Sequence, residues 1–332
     1  MKYRYLGKSG LQIGAITMGT QTFGWNIEEK ESRQLLSLYF GVGGNYLDVA
    51  DSYNKGESER ILGVWLKESR NRDACVIGTK VFFPTGEGPN DSGASRKHIF
   101  QSVDESLQRL GTDYIDLYQI HCFDRMTPIE ETMQALNDLV RMGKIRYIGA
   151  SNFTPSKLMK AQMLAKYEGL TTFTALQLEY NLLVRSPEWE LLPLCLEEGI
   201  GTLAWSPLAG GWLSGKYRRD KDIPKNSRAG RGDRWDDGLD QRGTEKAFNT
   251  IEILIEIAKE VGRPVSQVSL NWMIQQEQVT APLVGARNEK QLRENLEAME
   301  WHLSQDQITR LNQVSSIDEP SPYCFINHYT RK

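Results

Sequence analysis

The chain has 332 residues, a formal net charge of −3, 39% hydrophobic residues and 25% charged residues, a composition that suits a globular protein with one large barrel or two domains. That balance gives no field for nucleic acid and no basic arm, and the apolar runs stop far short of the roughly 20 residues that span a bilayer. The opening MKYRYLGKSG has no apolar signal core, so the expectation is a cytoplasmic protein with neither a nucleic-acid nor a membrane partner. Cys75, Cys122, Cys195 and Cys324 are widely spaced without a C-x-x-C pair, and His98, His121, His302 and His328 are equally scattered. Neither a disulfide framework nor a bound metal is expected.

Residues 3–13, YRYLGKSGLQI, place two short apolar pieces around a Gly-Lys-Ser-Gly turn, the composition of a hairpin. Eight short apolar runs follow: GAITM (14–18), NYLD (45–48), CVIGT (75–79), IDLYQI (115–120), IRYIGA (145–150), TALQL (174–178), GTLAW (201–205) and TAPLV (280–284). Between them lie stretches of helical periodicity, such as EEKESRQLLSLYF (28–40), HIFQSVDESLQRL (98–110), EETMQALNDLVRM (130–142) and NEKQLRENLEAM (288–299). Eight strand and helix units predict a (β/α)8 barrel over an open doubly wound sheet. An open sheet would usually carry G-x-G-x-x-G after its first strand, whereas GVGG (41–44) precedes the second run and reads as a helix C-cap and turn.

The rhythm breaks at the polar loop PTGEGPNDSGAS (84–95) and at the long, basic, glycine-rich segment 206–243. Loops of that length are functional or disordered. Helices are then predicted in TEKAFNTIEILIEIAKEV (244–261), SQVSLNWMIQQ (266–276) and SQDQITRLNQV (304–314), ahead of a C-terminal tail, 317–332.

In a closed parallel barrel the C-terminal strand ends build the site. Here they are Gly19 and Thr20, Asp48, Lys80, His121, Ser151 and Asn152, Gln177, Trp205 and Ser206, and Gly285 and Ala286. Asp48, Lys80 and His121 end successive strands, and Tyr53 in DVADSYNKGESE (48–59) can lean over them. Taken singly, each has an ordinary role: a cap, a packing ring, a surface charge, a core histidine. Taken together they suit proton donation to a carbonyl oxygen: an ammonium lowers the pKa of a phenol, a carboxylate keeps the ammonium charged, and the imidazole adds a second hydrogen bond. Asp51, Asn54, Lys55 and Gly56 read as turn punctuation.

These segments resemble the aldo-keto reductases over nearly the whole chain, from YRYLGKSGLQI (3–13) to EAMEWHLS (297–304). DVADSYNKGESE is similar to the family's aspartate-to-tyrosine signature, TDYIDLYQIH (112–121) to its strand ending in histidine, and GKIRYIGASNF (143–153) to its strand ending in Ser-Asn. LAWSPLAGGWLSGKY (203–217) and LVGARNEKQLRENL (283–296) resemble its cofactor segments. The resemblance implies NADPH-dependent reduction of a small carbonyl substrate, an aldehyde or ketone, with NADP+ as the cofactor product. Tyr53 would be the general acid, Asp48 and Lys80 the pair that tunes it, and His121 the group that orients the carbonyl. The potassium-channel β subunits are similar but carry asparagine where His121 stands. A redox-sensing regulatory subunit with little turnover is therefore the alternative.

For the cofactor, Trp205 offers a flat face to the nicotinamide, and Ser151, Asn152 and Gln177 match its carboxamide, beside Gly19, Thr20 and Asp48. Ser206, Pro207, Leu208 and Gly210 begin a loop that supplies backbone N–H groups and Lys216 for the pyrophosphate. Its G-x-x-x-x-G-K spacing misses a Walker A motif, because Tyr217 replaces Ser or Thr. Gly285, Ala286 and Arg287 resemble the loop that meets the 2′-phosphate, with Gln291, Glu294 and Asn295 at the adenine half and Arg228 a further cation. The better-known reductases place a lysine and a serine in that loop. Phe23, Trp25, Phe82 and Phe83 either wall an apolar pocket over the nicotinamide or pack as core beneath their loops. The expected organisation is one barrel domain, 1–332, with 206–243 covering the cofactor; oligomeric state is not legible.

Overall fold

The structure, a computed structural model, describes residues 1–219, 221–225, 227–231 and 242–330. A hairpin of β1 (Tyr3–Tyr5) and β2 (Gln12–Gly14) comes first, in the register Tyr3 opposite Gly14. Eight parallel strands then close on themselves: β3 (Thr17–Gly19), β4 (Tyr46–Asp48), β5 (Val76–Val81), β6 (Ile115–Ile120), β7 (Ile145–Ser151), β8 (Ala175–Glu179), β9 (Gly201–Trp205) and β10 (Ala281–Val284). Each is bonded to its sequence neighbour, and β10 pairs with both β9 and β3. The fold is a (β/α)8 barrel with an N-terminal hairpin.

Among the described residues the helices are α1 (Glu29–Gly41), α2 (Glu57–Ser69), α3 (Arg96–Leu110), α4 (Ile129–Arg141), α5 (Pro155–Glu168), α6 (Leu191–Glu198), α7 (Arg228–Arg231), α8 (Glu245–Val261), α9 (Val265–Ile274), α10 (Glu289–Leu296), α11 (Gln305–Ser315) and α12 (Tyr323–Tyr329). Their termini follow local chemistry. Ser304 and Gln307 form a reciprocal capping box on α11, and Thr244 and Asn288 accept backbone N–H groups at the starts of α8 and α10. Two expectations shift. The first barrel strand begins at Thr17, because Gly14 is used by the hairpin, and the C-terminal tail contains a helical turn, α12, whose Tyr323 stacks on Trp189.

Two apolar layers hold the barrel. Inside its lower half, Leu6 and Ile13 of the hairpin pack on Tyr46, Val76, Leu117, Ala175, Leu203, Ala281 and Leu283, so the hairpin plugs the N-terminal end. Between strands and helices lies the larger core, and each fully buried aliphatic or aromatic side chain in it contributes about 1.5–3 kcal/mol. With one end plugged, the polar strand ends are left at the opposite mouth. Among the described residues, no helix is long and apolar enough to cross a membrane.

Candidate active site

Lys80, the penultimate residue of β5, is fully buried, and all three of its protons have acceptors. Its Nζ donates to Asp48 Oδ2 at 2.6 Å, to the Val49 carbonyl at 2.9 Å and to Tyr53 Oη at 3.1 Å. The second oxygen of Asp48 accepts from Gln177 Nε2 at 2.8 Å. A buried ion pair is tolerable only when its remaining valences are filled, and here both partners meet that condition. Burial opposes the Lys80 charge, but Asp48 and Tyr53 more than offset it, and its pKa rises. Burial pushes the Asp48 carboxyl up, against the pull of Lys80 and Gln177.

Tyr53 begins a tight turn between β4 and α2, and Asn54 and Lys55 within it hold left-handed φ of 47° and 55°. Such conformations are costly for residues with a Cβ and persist only when their surroundings impose them. Asn54 is tied to the Gly24 carbonyl at 2.6 Å. The turn tilts the Tyr53 ring edge-on to His121 at 5.7 Å between centroids, and Phe83 meets His121 from another side at 4.7 Å.

The phenol does not follow the sequence expectation. Lys80 lowers its pKa as anticipated, but burial raises it more, so the group stays above its ordinary value and holds its proton. His121 is displaced the other way: burial, helped by the Lys80 charge, lowers its pKa well below the usual range, leaving a neutral ring. Its buried Nδ1 has no hydrogen-bond partner among the described residues. A proton on that nitrogen would be stranded, so the favoured tautomer carries it on Nε2.

Of the residues expected at the cofactor, several form one network. Asn152, with φ of 55°, donates through Nδ2 to the His121 carbonyl at 2.9 Å and to Ser151 Oγ at 3.1 Å, and accepts from Trp205 Nε1 at 3.2 Å. The Trp205 ring is thereby fixed at the rim while remaining partly accessible. Gln177 is committed to Asp48, so its amide nitrogen serves the ion pair. Ser206 lies in the left-handed region, and its carbonyl is held by Asn181 Nδ2 at 3.1 Å. Pro207 is buried, Leu208 immediately precedes the turn Ala209–Ser214, Gly210 lies within it and Lys216 just beyond it, with the Lys216 ammonium 5.1 Å from the centre of the Tyr217 ring. Arg228 opens α7.

At the end of β10, Gly285 is exposed and Ala286 buried, and the Arg287 backbone N–H donates to Gln291 Oε1 at 2.9 Å. Glu294 accepts from Ser266 of α9 at 2.6 Å, and Asn295 turns to the Gly285 carbonyl at 3.5 Å, so both also serve local packing. Gly19 is paired with Asp48 in register, but Thr20 is sealed from the mouth: its hydroxyl donates to the Asp48 carbonyl at 2.8 Å and lies 2.7 Å from Ser58 Oγ. Thr20 fixes the backbone of the site. Phe23 is likewise wholly buried in the main core and takes the packing role, whereas Trp25 is 46% exposed and Phe82 and Phe83 are partly accessible. The part of segment 206–243 comprising residues 220, 226 and 232–241 lies outside the described residues.

Three supports escaped the sequence. Asn181 holds Ser206, Glu179 pairs with Arg242 at 2.5 Å, and Glu59 lies fully buried behind the Tyr53 turn, bonded to Arg109 and Thr79. Glu59 in the first turn of a helix resembles any dipole-favoured surface carboxylate. Only the absence of solvent around it marks it, and that is a tertiary fact.

Residues 12–316 match the model of the Aldo/keto reductase family. The chain is similar to the L-glyceraldehyde 3-phosphate reductase of Escherichia coli (strain K12), 36% identical over 306 residues that cover 90% of this chain and 88% of that protein. It is 36% identical over 303 residues to the probable voltage-gated potassium channel subunit beta of Arabidopsis thaliana, covering 90% and 92% respectively. The versiconal hemiacetal acetate reductase of Aspergillus parasiticus is 33% identical over 337 residues, covering 94% and 96%.

Proposed function

Because the chain belongs to the aldo/keto reductase family, we propose that it reduces an aldehyde or ketone to an alcohol, using NADPH as the hydride source and Tyr53 as the proton donor. The observation that carries this is the contact of one buried ammonium, Lys80, with both the Tyr53 hydroxyl and the Asp48 carboxylate. A proton donor must hold its proton at working pH and release it as negative charge develops on the acceptor. Burial supplies the first condition at Tyr53; Lys80, 3.1 Å away, favours the phenolate left behind. The neutral His121 offers its Nε2 hydrogen to the same carbonyl oxygen and fixes which lone pair faces Tyr53. Asp48 keeps the Lys80 ammonium charged and aimed.

The residues at the mouth suit a nicotinamide dinucleotide. Trp205 presents an anchored aromatic face, Asn152 and, beneath it and without solvent exposure, Ser151 carry amide-compatible groups, and Lys216, Arg228 and Arg287 are cations for phosphate. When bound, the cofactor supplies the hydride. Arg287 favours the 2′-phosphate and hence NADPH over NADH, Gln291, Glu294 and Asn295 meet the adenine half, and Trp25, Phe82 and Phe83 wall the carbonyl site. The chain acts as one barrel domain, with 206–243 covering the cofactor.

The similarity to a channel subunit favours one second reading, a regulatory subunit that holds NADP(H) and turns over slowly. Retention of His121 weighs against it. A panel of aldehydes and ketones followed at the NADPH absorbance separates the two. Turnover that falls about 10²–10⁴-fold in Tyr53→Phe supports the reductase; cofactor retained through purification with negligible turnover supports the sensor.

A further inference from the structure

We propose that Arg109, in the last turn of α3, is a positioning residue for Tyr53, acting from behind the barrel wall through Glu59 and Gly56. The proposal rests on Tyr53 being the proton donor. Asn54, Lys55 and Gly56 are three consecutive residues with positive φ, a run that does not hold itself. At its start the run is restrained by Asn54, which donates to the Gly24 carbonyl. At its end the restraint is Arg109: a Cβ built on Gly56 would lie 2.7 Å from Arg109 Cδ and 2.8 Å from its Nε, so the side chain packs directly against the turn.

The guanidinium is itself fixed. Nε donates to Glu59 Oε2 at 2.6 Å, one terminal nitrogen reaches Ser106 Oγ at 3.3 Å, and the other approaches Glu105 at 3.5 Å. The other oxygen of Glu59, a side chain without solvent exposure, accepts from Thr79 Oγ1 at 2.6 Å, and Thr79 immediately precedes Lys80. α2 and α3 meet closely enough for this because Gly63 has no side chain; a Cβ there would lie 2.4 Å from the Arg109 carbonyl. One cation thus ties the strand that carries Lys80 to the turn that carries Tyr53. Together with the ion pair, it sets the distance between the two.

The test compares wild type with Arg109→Met and with Arg109→Met/Glu59→Gln, which leaves no stranded Glu59 carboxylate should the single variant fold poorly. Hydrogen exchange is read at the Tyr53 and Lys55 amides, bonded to Ala50 and Ser52, and at the His121 amide, bonded to Val81 across the mouth. The expected result in both variants is exchange about tenfold faster or more in the turn, with His121 unchanged. The kcat should fall by a similar factor, with NADPH affinity within about twofold of wild type. Arg109→Lys, which keeps a cation beside Glu59, should recover most of the thermal midpoint and only part of kcat. Equal acceleration at all three amides, or an unchanged turn, would overturn the proposal. A wild type inactive on every carbonyl would count against the reductase assignment alone, since the exchange comparison would still decide whether Arg109 holds the turn.

Discussion

Lys80 and Asp48 form an ion pair of 2.6 Å in which the two side chains are 0% and 4% exposed. Breaking such a pair from one side strands a charge in a low-dielectric interior, at a cost of about 3–5 kcal/mol, whereas replacing both charges can be nearly neutral. Lys80→Met is therefore expected to lose stability of that order and nearly all turnover. Lys80→Met/Asp48→Asn, whose asparagine still accepts from Gln177, should regain much of the stability and none of the turnover. Thermal midpoints and kcat separate the two quantities. Recovery of activity in the double variant would remove the pair from the chemistry.

Arg287 gives a prediction on the cofactor. It follows β10 at the rim, where its backbone N–H is held by Gln291, so the residue has a fixed base. A guanidinium that pairs with the 2′-phosphate contributes about 1.5–3 kcal/mol through charge-assisted bonds. Arg287→Ala is expected to raise the NADPH dissociation constant about 10–100-fold and leave NADH nearly unchanged, as read by quenching of tryptophan fluorescence. An unchanged ratio would assign the preference elsewhere.

Legibility from sequence divides along local and tertiary lines. The barrel was legible because each strand run and helix period is a local pattern, and because a plugged parallel barrel has one chemical face. Asp48, Lys80 and His121 were legible for the same reason: each lies at or next to the end of an apolar strand. The protonation of Tyr53 was not, since the pull of Lys80 can be inferred from proximity but the larger opposing effect of burial depends on everything packed around the ring. Position along the chain puts Thr20 at a strand end and leaves Phe23 open between pocket wall and core; the direction of their side chains, inward to Ser58 and to the core, is set by packing. Glu59 and Arg109 lie 50 positions apart, and no local pattern joins them.

Asp51 carries the last prediction. It is 1% exposed, neither carboxylate oxygen has a hydrogen-bond partner among the described residues, and the nearby cations, Arg109 and Lys80, are already bonded to Glu59 and Asp48. Burial, reinforced by the Glu59 charge, raises its pKa well above the ordinary carboxylate value. Between the unfolded pKa, about 3.9, and that raised native value, the folded chain binds a proton that the unfolded chain has released. Stability from this group is thus full below about pH 3.9 and is lost as pH rises through the native pKa, with a slope of up to about 1.4 kcal/mol per pH unit. Asparagine has no such titration, so Asp51→Asn should gain on wild type steadily as pH rises. Every other titrating group is common to both chains and cancels in the difference. Thermal midpoints of the two proteins at pH 5, 6, 7 and 8 (about one-unit steps along that slope) supply the measurement. A difference that stays flat with pH, or that turns against asparagine at the alkaline end, would mean that Asp51 is ionised in the folded protein and paired in a way the contacts around Glu59 and Arg109 do not provide.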